Sequence, residues 1–332
     1  MSAKNNNILA FGTALAFVIS QGGAVYGSAG YSKVGVIPSK KISKTYTATS
    51  VGGTCFAGGS TYTLKYPTEK NQKKKKAIPY CPMVISKVSA LPNSKKFYSK
   101  SKKPTNYVVK YKSGKTYYAK HPNSITYYNG CFYVYDFIEF NKKAGNQIIK
   151  ISKTGKVLAK IPYQNQEGKT LPINSFTYYK NVNGVPNFLI ARAKVVSGKK
   201  ACYEYRLAEY KNGKFIDTGK FFRTQKMFHS YAHDNEIVFD AKTNKMYGSY
   251  FEFNQKNGKD TKYIKKNWIY GFNADVSKFN GRENKAIVSK YIIPKHKEEK
   301  FEIEGLEIIG GKIYASVNLD PKPEMDGYYR IR

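Results

Sequence analysis

Residues 123–136 read NSITYYNGCFYVYD, two short runs rich in aromatic and β-branched residues on either side of Asn129-Gly130. Such runs favour strands, and an Asn-Gly pair between them is a strong local signal for a β-hairpin. The same succession of strand phrase, turn and second strand phrase begins again at Asn174, Asn235 and Glu304. Each unit is therefore predicted to open with an antiparallel hairpin.

Further strand phrases complete each unit. The third phrases are NQIIKIS, CYEYRLAEY, NWIYGF and GYYRIR, and the first three units add a fourth, KVLAKIPY, KFIDTGKFF and KAIVSKYII. An earlier unit that includes TCFAGGSTYTLKY is expected upstream, with YVVKYKSGKTYYAK as its third and fourth strands. Repeated four-stranded units with little helix signal predict an all-β fold, a β-propeller of five four-stranded blades. A two-layer β-sandwich is the alternative.

The last unit stops at Arg332 after its third strand. An unpaired strand edge exposes backbone N–H and C=O groups, so a propeller commonly closes by pairing strands from the two chain ends. Residues 45–50 are the predicted closing strand. The propeller domain is accordingly predicted to span residues 45–332, after a flexible basic segment at residues 30–44.

The N-terminus has the pattern of a signal peptide. Lys4 precedes an uncharged apolar run at residues 8–20, and small residues follow, with a cleavage point after Gly27 or Ala29. This run is too short to span a bilayer, which needs about 20 apolar residues. We therefore predict a signal peptide at residues 1–29 and a secreted protein without a transmembrane segment, retained at the cell surface or released.

The charge is strongly basic and unevenly placed. The 332 residues include 57 Lys+Arg and 22 Asp+Glu, a net charge of +35, and up to Asp136 the 21 lysines face a single acid, Glu69. In an exported protein, such charge predicts anionic cell-wall polymers or a membrane surface as partners, and no nucleic acid. Arginines are few, and the first is Arg192. Lysine attracts an anion as a point charge, whereas arginine binds it with two parallel hydrogen bonds, so this composition favours general attraction over recognition of particular groups. The residues assigned to polyanion binding are Lys73, Lys74, Lys75, Lys76, Lys95, Lys96, Lys102 and Lys103. The alternative is that these lysine-rich runs are only solvated loops and bind no partner.

Familiar enzyme motifs are absent from the sequence. It contains no P-loop, G-x-S-x-G, H-E-x-x-H, EF-hand loop or C-x-x-C pair. The four cysteines allow three disulfide pairings. Cys55 with Cys81 is the first choice because both belong to one predicted blade, whereas Cys131 and Cys202 lie in strand phrases typical of buried thiols.

Polar residues recur at the start of the predicted inner strands. In a propeller these strands line the central channel, so their entries converge at one mouth. Imidazole, amide and carboxylate groups there could bind a divalent cation or a polar ligand, with no metal identified. The alternative is that they only satisfy turn backbone groups. The predicted ligand site consists of His121, Asn123, Asn174, His233, Asn235 and Glu304, with no catalytic residue assigned.

The His-preceded inner-strand phrases and the terminal segment EGLEIIGGKIYASVN, residues 304–318, resemble the helveticin-type large bacteriocins of lactic-acid bacteria. The resemblance covers roughly residues 105–332. It implies a heat-labile antibacterial protein with a propeller-like domain that acts on related bacteria.

The predicted function is an exported, helveticin-like cationic propeller that binds anionic polymers of the bacterial surface, with bacteriolysis as an open extension. One alternative is a propeller enzyme, a lactonase, lyase or glycan-cleaving protein, with a cation at the channel. Another is a non-lytic structural protein of the envelope.

Overall fold

The computed structural model describes residues 25–28, 30–67, 81–119, 121–136, 147–224, 226, 228–230, 232–256, 259–275, 279–281, 283–284, 287–293, 300–320 and 326–332. Within these ranges, strands dominate and the one helix, α1, spans Phe97–Ser101. No described helix is long and apolar enough to cross a membrane. Most of the predicted signal peptide and Lys73, Lys74, Lys75 and Lys76 lie outside the described residues.

Four short strands precede the repeated sheets: β1 (Val25–Ser28), β2 (Tyr31–Val36), β3 (Lys40–Lys41) and β4 (Thr47–Ala48). The sheets that follow are called blades 1 to 5. Blade 1 and the small ladder beside it contain β5 (Ser50–Ala57), β6 (Ser60–Tyr66), β7 (Cys81–Pro82), β8 (Val84–Val88), β9 (Thr105–Val108) and β10 (Tyr118–Ala119). Within this set, β5, β6, β8 and β9 form the blade, and β7 pairs with β10.

The next two blades follow the predicted strand phrases. Blade 2 contains β11 (Pro122–Tyr128), β12 (Cys131–Asp136), β13 (Gln147–Ser152) and β14 (Val157–Gln164). Blade 3 contains β15 (Ser175–Val182), β16 (Val185–Ser197), β17 (Lys200–Lys211) and β18 (Lys214–Thr224), with β19 (Phe228–His229) paired to β17. A short parallel contact joins β14 to β18 and links the two sheets.

The last two blades each recruit a strand from the N-terminal segment. Blade 4 contains β20 (Ala232–Asp240), β21 (Lys245–Lys256), β22 (Lys259–Asn273) and β24 (Ile287–Ile293), while β23 (Glu283–Asn284) pairs with β18. Blade 5 contains β25 (Lys300–Ile309), β26 (Lys312–Asp320) and β27 (Gly327–Ile331). The strand β1 extends blade 4 beside β24, and β2 completes blade 5 beside β27.

The inner strands of the described blades form a ring. They contact one another in the order β5, β11, β15, β20, β25 and back to β5. Each pair of neighbouring blades encloses its own apolar cluster; Phe132 lies between blades 1 and 2, Phe188 between blades 2 and 3, and Tyr250 between blades 3 and 4. Radially arranged sheets with a core at each interface confirm the all-β propeller prediction over the two-layer sandwich.

The closing strand lies earlier in the chain than predicted. The strand β2 pairs antiparallel with β27, with Tyr31 opposite Ile331 and Val36 opposite Gly327. Residues 45–50 instead contribute β4, which pairs with β3, and the first residue of β5. Gly35 permits this arrangement, since a Cβ there would lie 2.5 Å from the Phe97 ring. Part of the segment predicted to be flexible, residues 30–44, is thus a blade strand.

Blade 1 also differs from the sequence interpretation in its third strand. That strand is β8, Val84–Val88, and the segment from Tyr107 contributes only the end of the fourth strand, β9. Beyond β9 the chain turns at Gly114 and supplies β10. The sequence prediction placed this segment one strand too early. Its tight turn resembles the hairpin between the third and fourth strands of the next unit.

The predicted hairpin turns are confirmed. Asn129 and Gly130 have φ of 44° and 78°, and Asn183 and Gly184 have φ of 50° and 77°. Two successive residues with positive φ give the turn that matches the twist of the flanking strands, and Asn and Gly adopt it at low cost.

Candidate ligand site at the inner strands

Among the described inner strands, β5, β11, β20 and β25 carry a register irregularity at an equivalent position. Pairing shifts between Pro122 and Ser124 in β11, between Asp234 and Glu236 in β20, and between Ile303 and Gly305 in β25. In β5 it shifts between Val51 and Thr54. The residues skipped by these shifts are Asn123, Asn235, Glu304, Gly52 and Gly53. Three residues of the predicted site therefore occupy bulges, which often re-aim a side chain beside a functional site.

The fourth predicted position, Asn174, lies immediately before β15. Its backbone N–H donates a 2.8 Å hydrogen bond to the Ala191 carbonyl oxygen. The described register of β15 with β16 begins one residue later, with Ser175 opposite Ala191, so the Asn174 N–H and Ser175 both face Ala191.

Asn235 and Glu304 are brought into direct contact. The Asn235 amide Nδ2 lies 3.3 Å from Glu304 Oε2 and also donates to the Ile303 carbonyl oxygen. Both side chains are buried. The structure thus brings together two of the six predicted residues, which lie on neighbouring inner strands.

The two predicted histidines have aromatic neighbours. His121 is exposed, with Nε2 3.1 Å from the Tyr66 hydroxyl, and its backbone N–H donates to Asp136 Oδ1 at 3.2 Å. The His233 ring stacks on Phe251, with centroids 5.2 Å apart and an interplanar angle of 18°. These contacts hold His121 between blades 1 and 2 and His233 against the second strand of its own blade.

Two residues beside the predicted site were missed. Ser124 Oγ lies 3.0 Å from Glu236 Oε1 and 3.0 Å from the Phe176 carbonyl oxygen. Glu236 Oε1 also accepts the Ile237 backbone N–H at 3.0 Å. The residues that follow the recurring polar position in the sequence are Ser124, Ser175, Glu236 and Gly305. Glu236 is the only one of these with a long side chain, and this difference was the signal that could have identified it.

The backbone approaches closely around this carboxylate. A Cβ at Gly53 would lie 3.3 Å from Glu236 Oε2 and 3.2 Å from the Asn123 carbonyl oxygen. A Cβ at Gly305 would lie 2.6 Å from the Thr54 backbone nitrogen and 3.1 Å from the Gly53 carbonyl carbon. Blades 1, 2, 4 and 5 therefore meet at one place, called here the hub and defined by Gly53, Ser124, Glu236 and Gly305.

No cluster of three or more His, Cys, Asp or Glu side chains suited to a metal ion occurs among the described residues. The divalent cation at the channel mouth stays a prediction.

Four of the eight lysines predicted to bind polyanions are described, and they lie around α1. The side chains of Lys95, Lys96, Lys102 and Lys103 are all exposed. Tyr98 is 46% exposed, and Lys102 Nζ lies 5.1 Å from its ring centroid. These four lysines and Tyr98 are called the α1 patch.

Many of the described acidic side chains are buried. Among the described residues, buried acids are Asp136, Glu204, Asp217, Glu236, Glu252, Glu302, Glu304 and Asp326. Lys65 is the one lysine buried in the same ranges. The surface is consequently more basic than the ratio of 57 Lys+Arg to 22 Asp+Glu alone indicates.

All four cysteines are thiols, so the expected Cys55–Cys81 disulfide is not formed. Cys55 packs in the core between blades 1 and 2, whereas Cys81 lies in β7 and pairs with Ala119. Burial raises the pKa of the Cys81 thiol to about 12, which keeps it protonated at neutral pH.

No protein-family model matches the chain, and no curated protein matches it. Several glycoside hydrolase structures are similar to it. An arabinanase of Bacillus subtilis is 11% identical, with 86% of this chain and 96% of that chain covered and a TM-score of 0.45. A family 43 β-1,3-galactosidase is 9% identical, with coverages of 84% and 88% and a TM-score of 0.48. A family 117 glycoside hydrolase of Zobellia galactanivorans is 10% identical, with coverages of 92% and 90% and a TM-score of 0.47. At these values the likeness carries no argument for an activity.

Proposed function

We propose that the protein is an exported, five-bladed carbohydrate-active propeller that cleaves an anionic glycan at the inner-strand bulges. The observation that carries this proposal is the placement of Glu304 and Asn235 at equivalent bulges of neighbouring strands, next to Glu236. Glycoside cleavage commonly uses two carboxyl groups, one as acid and one as base or nucleophile. Glu304 and Glu236 are the carboxyl groups assigned to this pair.

The cationic surface fits the same substrate class. Eight of the described acids are buried, and the α1 patch is exposed. Long-range attraction raises the local concentration of an anionic polymer without selecting a particular residue of it. The surface would therefore hold the polymer while the inner-strand carboxyl groups act on it.

The test measures release of reducing ends from isolated bacterial cell walls and from a neutral glycan. Replacing Glu304 with Gln should lower the rate about 100-fold or more, since it removes an acid–base group and little volume. The matched control is Glu209→Gln in β17, which lies in an outer part of blade 3. Absence of cleavage by the parent, or a fully active Glu304→Gln variant, would reject the proposal.

A second candidate is an antibacterial protein that binds the bacterial surface without cleaving glycan; the resemblance to helveticin-type bacteriocins implies the antibacterial activity. The exposed α1 patch favours it, because surface binding needs no carboxyl pair. In that case the protein binds walls and inhibits related bacteria without releasing reducing ends, and Glu304→Gln keeps the full antibacterial effect.

A further inference from the structure

A polar cavity of 630 Å³ opens on blade 3, apart from the predicted inner-strand residues. Its walls are the loop between β14 and β15 and side chains of β16, β17 and β18; they include Asn165, Gln166, Lys169, Arg192, Arg206 and Asp217. The volume falls within the roughly 300–1,000 Å³ that is usual for small-ligand sites. We call this cavity the blade 3 groove.

The loop that forms one wall is held by its own hydrogen bonds. The Asn165 N–H donates to the Lys169 carbonyl oxygen at 2.9 Å, and the Lys169 N–H donates to Asn165 Oδ1 at 2.8 Å. A wall fixed in advance lowers the ordering cost of binding a ligand.

The floor is a network of charged side chains. Asp217 accepts from Arg206 Nε at 2.5 Å and from the Gly219 N–H at 2.6 Å, and it also accepts from the Tyr163 hydroxyl. Burial and then the charge of Asp217 raise the pKa of Tyr163, so this hydroxyl stays a donor. Both carboxylate oxygens of Asp217 therefore already accept hydrogen bonds from the protein.

The second carboxylate of the network, Glu204, is shared among three arginines. Its oxygens lie 2.6 Å from Arg206, 3.3 Å from Arg223 and 3.7 Å from Arg192. Three guanidinium groups thus face two carboxylates, which leaves one excess positive charge in the network; the exposed Glu167 and Lys169, which also line the groove, have opposite charges that offset each other. The chain has only six arginines, so this concentration contrasts with its reliance on lysine elsewhere.

The excess charge is best assigned to Arg192. Its contact with Glu204 is the longest of the three, and its Nε is buried with no hydrogen-bond partner among the described residues. Its side chain is 27% exposed and lines the groove. A partly buried cation without close pairing is costly unless another anion approaches it.

We propose that the blade 3 groove binds an acidic sugar, with the oxyanion held by Arg192 and the sugar ring lying against the 165–172 loop. The planar guanidinium matches a carboxylate or phosphate with paired hydrogen bonds, which the lysine surface cannot do. The exposed Gln166 offers an amide group to a sugar hydroxyl, and the exposed Pro172 offers an apolar face. This site is separate from the proposed cleavage site and does not depend on it.

The test titrates the full-length protein with three probes, glucuronic acid, glucose 6-phosphate and glucose, at low salt. We expect saturable binding of at least one acidic probe, and the stronger of the two identifies carboxylate or phosphate as the oxyanion. Arg192→Gln should weaken this binding about tenfold or more, the usual cost of losing hydrogen bonds to a charged group. Arg192→Lys keeps the charge without the fork and should give an intermediate loss, which preserves the test if the Gln variant folds poorly.

Arg332→Gln is the control, because it removes one positive charge from an exposed residue beyond β27. Binding should be unchanged in this control and in Glu304→Gln, which separates the groove from the cleavage proposal. The inference is overturned if neither acidic probe binds saturably or if glucose binds equally well. Equal weakening by the Arg332 and Arg192 variants would also overturn it.

Discussion

Ser124 on β11 and Glu236 on β20 meet at the hub, with Oγ 3.0 Å from Oε1, although β15 lies between their strands in the ring. The contact therefore passes across the centre of the propeller. Because Phe176 of β15 also contacts Ser124 Oγ, with its N–H 3.3 Å away, this one hydroxyl links blades 2, 3 and 4. A polar side chain at the axis thus joins sheets that are distant in sequence.

Replacing Glu236 with Ala should destabilise the protein by about 2–4 kcal/mol, because the change leaves a cavity and removes partners from buried donors. Ser124→Ala should cost about 1–2 kcal/mol, and the double variant should cost less than the sum, since one interaction is lost twice. Urea unfolding measures all three. Glu209→Ala is the control, and a Glu236→Ala variant as stable as that control would show that the hub does not depend on this carboxylate.

The close backbone contact at Gly305 predicts a steric penalty. Its Cβ would lie 2.6 Å from both the Thr54 backbone nitrogen and Ser316 Oγ. Gly305→Ala should lower the free energy of unfolding by about 1–3 kcal/mol through overpacking. Gly30→Ala is the matched control because nothing lies within 4 Å of its Cβ position. Equal melting temperatures for the two variants would mean that the inner strands can separate without cost.

The blade architecture was accessible from the sequence because its signals are local. Asn129-Gly130 and Asn183-Gly184 dictate turns, and alternating aromatic residues dictate the strands around them. The closing strand was misplaced because its choice depends on a distant partner. Residues 45–50 have a strand-like pattern, but only the structure shows that Tyr31–Val36 reaches β27.

The candidate site was predictable to the same extent. Asn123, Asn235 and Glu304 share a position in the repeat, and the structure places all three at bulges. Glu236 was missed because a bulge redirects the following side chain, an effect that strand alternation does not anticipate. The Arg192 network follows no sequence period, so only the pairing of β16, β17 and β18 brings it together.

Glu307 gives a prediction for pH. Burial raises the pKa of its carboxyl group from 4.5 to about 8, although Oε1 accepts the Phe56 N–H at 3.2 Å. Between these values the unfolded chain loses a proton that the folded chain keeps, so stability falls as pH rises. The contribution is complete below pH 4.5 and lost as pH rises through about 8.

Glu307→Gln should therefore flatten the decline in unfolding free energy measured from pH 5 to pH 8. The amide imitates the protonated acid and cannot ionise. Glu209→Gln serves as the control and should keep the slope of the parent. A Glu307→Gln curve parallel to the parent would show that this carboxyl group does not titrate in the range.

The position of β2 yields a truncation test. Removing residues 1–29 deletes β1 from the edge of blade 4 but spares β2, whereas removing residues 1–36 also deletes β2 and exposes the edge of β27. The longer deletion also removes the Gly30 carbonyl oxygen that accepts a hydrogen bond from the Arg332 N–H at 2.8 Å. We expect the shorter deletion to stay soluble and the longer one to melt lower and aggregate.

A synthetic peptide of residues 30–37 provides the control for that test. Added to the longer deletion, it should raise the melting temperature by occupying the open edge, as extended peptides do at exposed sheet edges. Deletions that melt alike would show that blade 5 is stable with three strands.

The α1 patch predicts salt-dependent binding to bacterial walls. Exposed lysines attract an anionic polymer by releasing its counterions, and screening shortens from about 10 Å at 0.1 M salt to about 3 Å at 1 M. Binding should be strong at low salt and mostly lost near 1 M. Changing Lys95, Lys96, Lys102 and Lys103 to Gln should weaken binding and flatten its dependence on salt.

A control with equal loss of charge changes four exposed lysines of blade 3, Lys199, Lys200, Lys211 and Lys214. Since that control keeps the cluster around Tyr98, it should bind more tightly than the α1 variant in a wall pull-down over a salt series. Equal weakening of both would make net charge, not the α1 patch, the determinant of binding.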